Sequence, residues 1–83
     1  MAEFAPLTQE QQMWIEEIRC TWNVTYMPYG LLHLNGKRHV SVMRHADFNF
    51  IVDLWENRYV IGPNERLVII DARNVQIVWE KLS

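Results

Sequence analysis

The feature that most constrains this fold is a strand near the C-terminus that is apolar on both of its faces. In an extended chain, alternate side chains fall on opposite faces, and all four residues of Leu67–Ile70 are apolar. A polar turn follows, and then a second predicted strand that ends at Leu82. Since both faces of the first strand need apolar cover, we expect the rest of this 83-residue chain to be arranged around it.

The chain is short for the amount of apolar sequence that it carries. Its 83 residues make a single domain, 1–83, in which 49% of the residues are hydrophobic and four are tryptophans. A chain of this size buries only about 60–65% of the surface that its unfolded form exposes. Either the core is unusually aromatic, or another chain, a second copy or a protein partner, covers part of the apolar surface. The predicted oligomer interface consists of Leu67, Ile69, Val78 and Trp79.

Charge and terminal sequence argue against several classes of protein. The net charge is −2 and the isoelectric point about 5.8, whereas a nucleic-acid-binding domain more often has a value above about 9. The single Cys20 cannot form an internal disulfide. The N-terminus lacks the pattern of a secretory signal, and the longest apolar run has four residues. We expect a cytoplasmic protein that has no contact with membranes.

A helix is predicted over residues 8–20, after a loose arm of residues 1–7. Thr8 and Gln11 have the spacing of a capping box, in which each side chain bonds to the other residue's backbone N–H. Trp14 and Ile18 lie four residues apart and therefore share one face of the helix. We expect this helix to cover one face of a sheet.

From residue 21 onward the pattern changes to short strands and turns, and we expect a β-meander over residues 21–82. Consecutive strands usually pair with their neighbours, and a twisted meander of six or seven antiparallel strands tends to curl into a small barrel. The predicted fold class is therefore α+β, mainly β. In element order alone, it resembles Sm-like and some SH3-like barrels. The strands are predicted at 22–27, on both sides of the Asn35–Gly36 turn, at 47–55, at 59–61 and in the terminal hairpin.

The segment 47–55 is open to two interpretations. As a strand, it places four alternating apolar side chains on one face, and we favour this interpretation because the alternation is unbroken. As a helix capped by Asp47, it would group a different apolar set. That set is Phe48, Ile51, Val52 and Trp55.

The registers of the two hairpins decide which side chains share a face. An even loop at Asn35–Gly36 would separate two leucines before the turn from two valines after it, and an odd loop would place all four together. Because register follows the buried face, we predict the odd loop, which makes His33 and His39 neighbours. In the terminal hairpin, simple alternation places Ile77 and Trp79 on one face. In the first hairpin, the leucines before the Asn35–Gly36 turn are Leu32 and Leu34, and the valines after it are Val40 and Val42.

No group of residues has the spacing of a catalytic or metal site. Cys20, His45 and Asp47 have the residue types of a nucleophilic triad, but nothing in the sequence brings Cys20 to the other two. Only two of the three histidines are predicted neighbours, and no second cysteine joins them as a metal ligand. We expect a non-enzymatic protein without a cofactor, a metal or a small-molecule substrate.

Two functions remain, and both are binding functions. The first is a small protein-interaction module that binds a protein partner and forms a homo-oligomer. The alternative is a small β-barrel that binds single-stranded RNA or DNA through residues 37–45, because basic and aromatic side chains on a β surface are typical of such proteins. The predicted partner-binding residues are Lys37, Arg38, His39 and Arg44. The aromatic side chains expected nearby are Tyr26, Tyr29, Trp55 and Tyr59.

Overall fold

A computed structural model describes residues 4–36 and 38–81, which form two helices and one antiparallel sheet of four strands. The strand order is β2-β1-β3-β4, so β2 and β4 are the two edges. The α+β, mainly β class is confirmed, but the sheet does not close into a barrel and has four strands instead of six or seven. The elements are α1 (Gln9–Arg19), β1 (Tyr29–Asn35), β2 (Arg38–His45), α2 (Phe48–Trp55), β3 (Glu65–Asp71) and β4 (Gln76–Lys81).

The sheet lies between the two helices, and each helix covers one of its faces. Ile15 of α1 is buried in one cluster, and Ile51 of α2 is buried in the other. The run Leu67–Ile70 of β3 is 0% exposed, because its side chains alternate between the two clusters. The chain's own helices therefore provide the cover that β3 needs. The buried set on the α1 face is Ile15, Trp22, Leu32, Leu34, Val68, Ile70 and Ala72, and on the α2 face it is Leu31, Ile51, Leu67 and Ile69.

Helix α1 confirms the predicted helix and its capping box. Thr8 Oγ1 accepts from the Gln11 backbone N–H at 3.1 Å, and Gln11 Oε1 accepts from the Thr8 backbone N–H at 2.9 Å. These bonds satisfy backbone donors that the first turn of a helix leaves free. Cys20 is the C-terminal cap.

The segment before α1 is attached to the sheet by Arg66. The guanidinium of Arg66 donates to the carbonyl oxygens of Ala5 at 3.0 Å and Pro6 at 3.5 Å, and it forms a two-pronged ion pair with Glu80. Leu7 packs against the cluster on the α1 face. Residues 5–7 of the predicted arm are thereby anchored, and residues 1–3 lie outside the described part of the chain.

The interpretation of 47–55 as a strand is wrong, because this segment forms α2. Asp47 caps the helix, and its carboxylate accepts from the Asn49 backbone N–H at 2.9 Å. The run contains both an alternating apolar pattern and one with the spacing i, i+3, i+4, i+7, and only the helical set covers the second face of the sheet. That helical set, Phe48, Ile51, Val52 and Trp55, packs in the cluster on the α2 face.

The odd loop predicted for the first hairpin is also wrong. Leu34 pairs with His39, and Asn35 pairs with Arg38, so the loop is even. Val40 is therefore on the face opposite Leu34, and His33 and His39 lie on opposite faces of the sheet. The prediction assumed one buried face, whereas helices cover both faces, so that leucines and valines are accommodated on either side.

Each edge strand contains a β-bulge. The register skips Val42 in β2 and Val78 in β4, since each of these residues is inserted between two paired neighbours. The bulge in β4 places Ile77 beside Ile70 on the α1 face, whereas Trp79 packs on the α2 face. The terminal hairpin is confirmed as a hairpin, but Ile77 and Trp79 do not share a face as simple alternation predicted.

Two predicted strands are absent from the described residues. Residues 22–27 form turns, in which the Trp22 indole N–H donates to the Met27 carbonyl oxygen, so this segment bonds to itself. Residues 59–61 keep their alternation without joining the sheet: Tyr59 and Ile61 pack on the α2 face, and Val60 is 89% exposed. Apolar alternation in these segments reflects anchoring to the core and not strand pairing.

Neither helix of the described ranges has the length and apolar character that crossing a membrane requires.

Replacing Ile15 with Ala should lower the free energy of unfolding by about 2–5 kcal/mol, because it leaves a cavity under α1. The measurement is urea unfolding followed by tryptophan fluorescence. Met13→Ala is the matched control, because Met13 lies on the same helix but is 64% exposed, and its effect should stay within about 0.5 kcal/mol. Equal losses in both variants would contradict the packing of α1 on the sheet.

Candidate functional site

The predicted basic residues do not form a single patch. His39 and Arg44 lie on the α1 face of β2, because His39 pairs with Leu34 and Arg44 pairs with Gly30. Arg38, at the other end of the strand, pairs with Asn35 on the α2 side and is exposed. Lys37 lies outside the described residues. The positive charges of β2 are thus distributed over both faces and both ends of the strand.

Arg44 stacks on a tryptophan that belongs to the core. Its guanidinium carbon lies 4.7 Å from the centre of the Trp22 ring, a cation–π arrangement. Trp22 is only 6% exposed, and its ring passes so close to Gly30 that a Cβ atom there would collide with it. The Trp22 ring therefore serves to hold Arg44 and is not free to stack on a base.

His39 packs between the hairpin and α1. Its ring centre lies 5.3 Å from that of Trp14, with the two rings tilted by 53°. Both ring nitrogens of His39 are shielded from solvent and form no hydrogen bond with any described residue. Of the predicted partner-binding residues that the structure describes, only Arg38 and Arg44 therefore present polar atoms for a partner.

The two arginines of β2 lack the ion pairs that three arginines elsewhere in the described chain form. Arg19, Arg66 and Arg73 each form an ion pair with a carboxylate. Within the part of the chain that is described, Arg38 and Arg44 form neither an ion pair nor a hydrogen bond through their side chains, and β2 contains no acidic residue. The ion pairs of the other arginines are Arg19–Glu16 at 3.4 Å, Arg66–Glu80 at 2.7 Å and Arg73–Asp71 at 2.8 Å.

The backbone of β2 offers an open edge beside these charges. Among the described strands, only β1 pairs with β2, so the outer edge of β2 is unpaired. Val40, the third of its eight residues, is 53% exposed. Beyond the strand end, Phe50 of α2 is also exposed, and its ring stacks on His45 with ring centres 4.3 Å apart. An unpaired strand edge with an exposed apolar side chain is a template for another strand.

The predicted oligomer interface is divided between core and surface. Leu67 and Ile69 are completely buried beneath α2 and are therefore not available to another chain in this fold. Val78, at the bulge of β4, is 36% exposed, and Trp79 is half-buried. Only the β4 part of the predicted interface lies where a second copy can reach it.

The arrangement closest to a catalytic one is a His–Tyr–Glu cluster that sequence reasoning missed. His33 Nδ1 lies 3.0 Å from the Tyr59 hydroxyl, and His33 Nε2 lies 3.3 Å from Glu65 Oε2 without hydrogen-bond geometry. Burial and the nearby Glu65 charge raise the pKa of Tyr59, so its hydroxyl is not an activated nucleophile. The cluster connects residues 59–65 to β1. Its members are far apart in the sequence, so only the tertiary fold brings them together.

Cys20, His45 and Asp47, which have the residue types of a triad, do not come together as one. The Asp47 carboxylate caps α2, and His45 Nδ1 accepts from the Asp47 backbone N–H at 2.9 Å. The Cys20 thiol is directed to the Glu16 carbonyl oxygen at the end of α1. Among the described residues, no group of three or more His, Cys, Asp and Glu side chains is placed to hold a metal ion.

At the turn between β3 and β4, Asp71 is held by Arg73. The Asp71 carboxylate accepts from the Arg73 backbone N–H at 3.0 Å and from two guanidinium nitrogens at 2.9 and 2.8 Å. The hydrogen bonds from the Arg73 side chain lower the pKa of Asp71, against the opposing effect of burial. Arg73 also lies over the Tyr29 ring, 5.7 Å from its centre, so this turn is fixed to β1.

Comparisons with protein-family models, with curated proteins and with solved structures find no match to this chain.

The Asp71–Arg73 pair predicts an acid-sensitive part of the stability. Because the folded-state pKa of Asp71 is lowered, its contribution is complete above the unfolded pKa of about 4 and is lost as the pH falls through the folded pKa. Asp71→Asn should therefore lower the urea midpoint at pH 7 and flatten its decline below about pH 4.

The same titration of urea midpoints from neutral to acid pH, carried out on Asp53→Asn, is the matched control. Asp53 is exposed on α2 and forms no ion pair with a described residue. Its variant should follow the wild-type curve. A wild-type slope in the Asp71→Asn variant would contradict a stabilising role for the pair in the folded state.

Proposed function

We propose that this protein is a small non-enzymatic interaction module that binds a protein partner by strand addition at β2. The observation that carries this proposal is the unpaired outer edge of β2, an eight-residue strand that exposes Val40 near its start. In strand addition, the backbone of the partner supplies the missing hydrogen bonds, and alternate side chains provide specificity.

The layered fold supports an edge as the binding surface. Each helix covers one face of the sheet, so the central strands β1 and β3 are closed to a partner on both sides. The bulge at Val42 interrupts the register of β2, and bulges are a common means by which proteins limit indiscriminate edge pairing. A partner must therefore match both the bulged backbone and the side chains of this edge.

Self-association is a second part of the proposal, and β4 is the element that supports it. The Glu80 carboxylate pairs with Arg66, and the Lys81 amine donates to the Glu56 carbonyl oxygen, so the charges of β4 are engaged within the chain. If two β4 strands pair antiparallel about their midpoints, Val78 lies opposite Trp79 of the partner subunit. Such a dimer would join two sheets and leave both β2 edges free.

Binding of single-stranded nucleic acid is the second candidate. The alignment of His39 and Arg44 on one face of β2, each beside a tryptophan, favours it. Against it, Trp22 is buried beneath Arg44 and the ring nitrogens of His39 are shielded. Since stacking of bases on accessible aromatic rings supplies much of the affinity in such proteins, the protein-binding function has the stronger support.

Peptides selected from a random display library for binding to the intact protein should bind along β2. Hydrogen exchange should then slow at β2 amides whose N–H groups point away from β1. Val40→Lys should weaken binding by about fivefold, because it removes about 1 kcal/mol of apolar contact.

Val60→Lys is the matched control for that experiment, because Val60 is a more exposed valine in the segment after α2 and is not part of the sheet. It should leave binding unchanged. Selected peptides that protect α1 instead of β2, or that lose affinity with Val60→Lys and not with Val40→Lys, would overturn strand addition at this edge.

Self-association should appear as a dimer mass, twice 10.0 kDa, in sedimentation measurements at high protein concentration. Val78→Lys should return the protein to a monomer, because it places a charge at the centre of the β4 pairing. Val60→Lys again serves as the control and should remain dimeric. A monomer at millimolar wild-type concentration would refute the homo-oligomer without affecting the function proposed for β2.

A further inference from the structure

We infer that the strand added at β2 is acidic, with a carboxylate near each of its ends and an apolar residue beside Val40. This inference rests on the proposed strand addition and specifies the chemistry of the partner. It follows from three features of β2, which are its unneutralised charges, their spacing and the preorganisation of Arg44.

The charges of β2 have no counterpart within the described chain. β2 carries two arginines and no carboxylate, whereas the arginines of α1, β3 and the last turn are paired with Glu16, Glu80 and Asp71. Outside β2, the one described arginine without such a pair is Arg58, which lies beyond the end of α2 and outside the sheet. Arginine forms strong two-pronged hydrogen bonds with carboxylates, so an acidic partner would supply the carboxylates that Arg38 and Arg44 lack.

The spacing of the charges defines the length of the segment. Arg38 and Arg44 lie six residues apart, at opposite ends of β2, and a strand rises about 3.3 Å per residue. The bulge at Val42 shortens this span, since the partners of the two arginines on β1, Asn35 and Gly30, are only five residues apart and lie on opposite faces of the sheet. The two charges are thus about 17 Å apart along the edge, which is the span of a partner of about six residues whose two end side chains lie on opposite faces. Val40 lies between them, so the interior of the partner strand meets an apolar side chain.

Arg44 is already held in position for such a contact. Its guanidinium carbon lies over the Trp22 ring, 4.7 Å from the ring centre, and its N–H groups bond to no described residue. Trp22 in turn is fixed by packing over Gly30 and by its hydrogen bond to the Met27 carbonyl oxygen. A side chain whose conformation is fixed before binding loses less entropy when it pairs with a carboxylate.

A second copy of β2 does not fit this edge. In antiparallel pairing of two β2 strands, Arg38 would lie near His45 of the partner subunit and Arg44 near His39 of the partner subunit, with no carboxylate between the strands. Two basic strands side by side repel each other, which is a recognised way of preventing edge-to-edge association. The edge is therefore suited to a partner of opposite charge.

The experiment uses three capped hexapeptides and the ¹⁵N-labelled intact protein, with amide shifts as the readout. The acidic peptide is Glu-Thr-Val-Val-Thr-Glu, which places its two glutamates on opposite faces as Arg38 and Arg44 are, and whose symmetry suits either strand direction. The other two replace both glutamates with glutamine or with lysine. The acidic peptide should shift β2 amides and bind about tenfold more tightly than the glutamine peptide at low salt, with the difference shrinking in 0.5 M NaCl.

The matched variants are Arg38→Glu and Arg58→Glu, since both arginines are exposed and lack an ion pair with a described residue. Arg38→Glu should reverse the preference, so that the lysine peptide binds more tightly than the acidic one. Arg58→Glu should keep the wild-type order. Reversal in Arg58→Glu and not in Arg38→Glu would overturn the inference.

The remaining outcomes separate the inference from the function on which it rests. If all three peptides shift β2 amides with equal affinity, the acidic preference is refuted and strand addition stands. If none shifts β2 amides at millimolar concentration, strand addition by such segments fails as well. If a single-stranded oligothymidylate shifts the same amides and the acidic peptide does not, the edge binds nucleic acid and the inference is overturned.

Discussion

The fold depends on the burial of β3 on both of its faces. Four consecutive apolar side chains, Leu67–Ile70, are inaccessible to solvent, and each contributes about 1.5–3 kcal/mol when it is removed from water. That gain is available only if apolar layers lie above and below the sheet. Helix α1 supplies one layer and α2 the other, and β1 separates β3 from the edge strand β2. A barrel would have provided a single interior and left one face of β3 in water.

This layered arrangement determines where a partner can bind. Helices occupy both faces of the sheet, so its backbone is accessible mainly along β2 and β4. The two edges differ in charge: Glu80 and Lys81 of β4 bond within the chain, whereas Arg38 and Arg44 of β2 bond to no described residue. The edges at opposite sides of the sheet therefore differ in charge, and this difference is why we propose an acidic partner for β2 and self-association for β4.

The candidate site was only partly predictable from the sequence. Arg38 and Arg44 were identified because basic residues cluster around the central turn, and they remain the residues of interest. Their spatial relation was not predictable, because it depends on an even loop and a bulge at Val42. The tryptophan that supports Arg44 was also missed. Trp22 belongs to a segment that was predicted to be a strand, and its contact with Arg44 arises from the packing of turns over Gly30.

Local signals by themselves determined the capping box and extent of α1, the terminal hairpin and the need of β3 for cover on both faces. Each of these depends on residues that are close in sequence, so the physical cause is visible in the chain itself. Only the tertiary structure decided that Phe48–Trp55 is a helix, because its apolar residues satisfy two periodicities and the uncovered face of the sheet selects one of them. The same helix explains why the sheet stays open and does not close into a barrel. It covers the second face of the sheet, which barrel closure or another chain would otherwise have to cover.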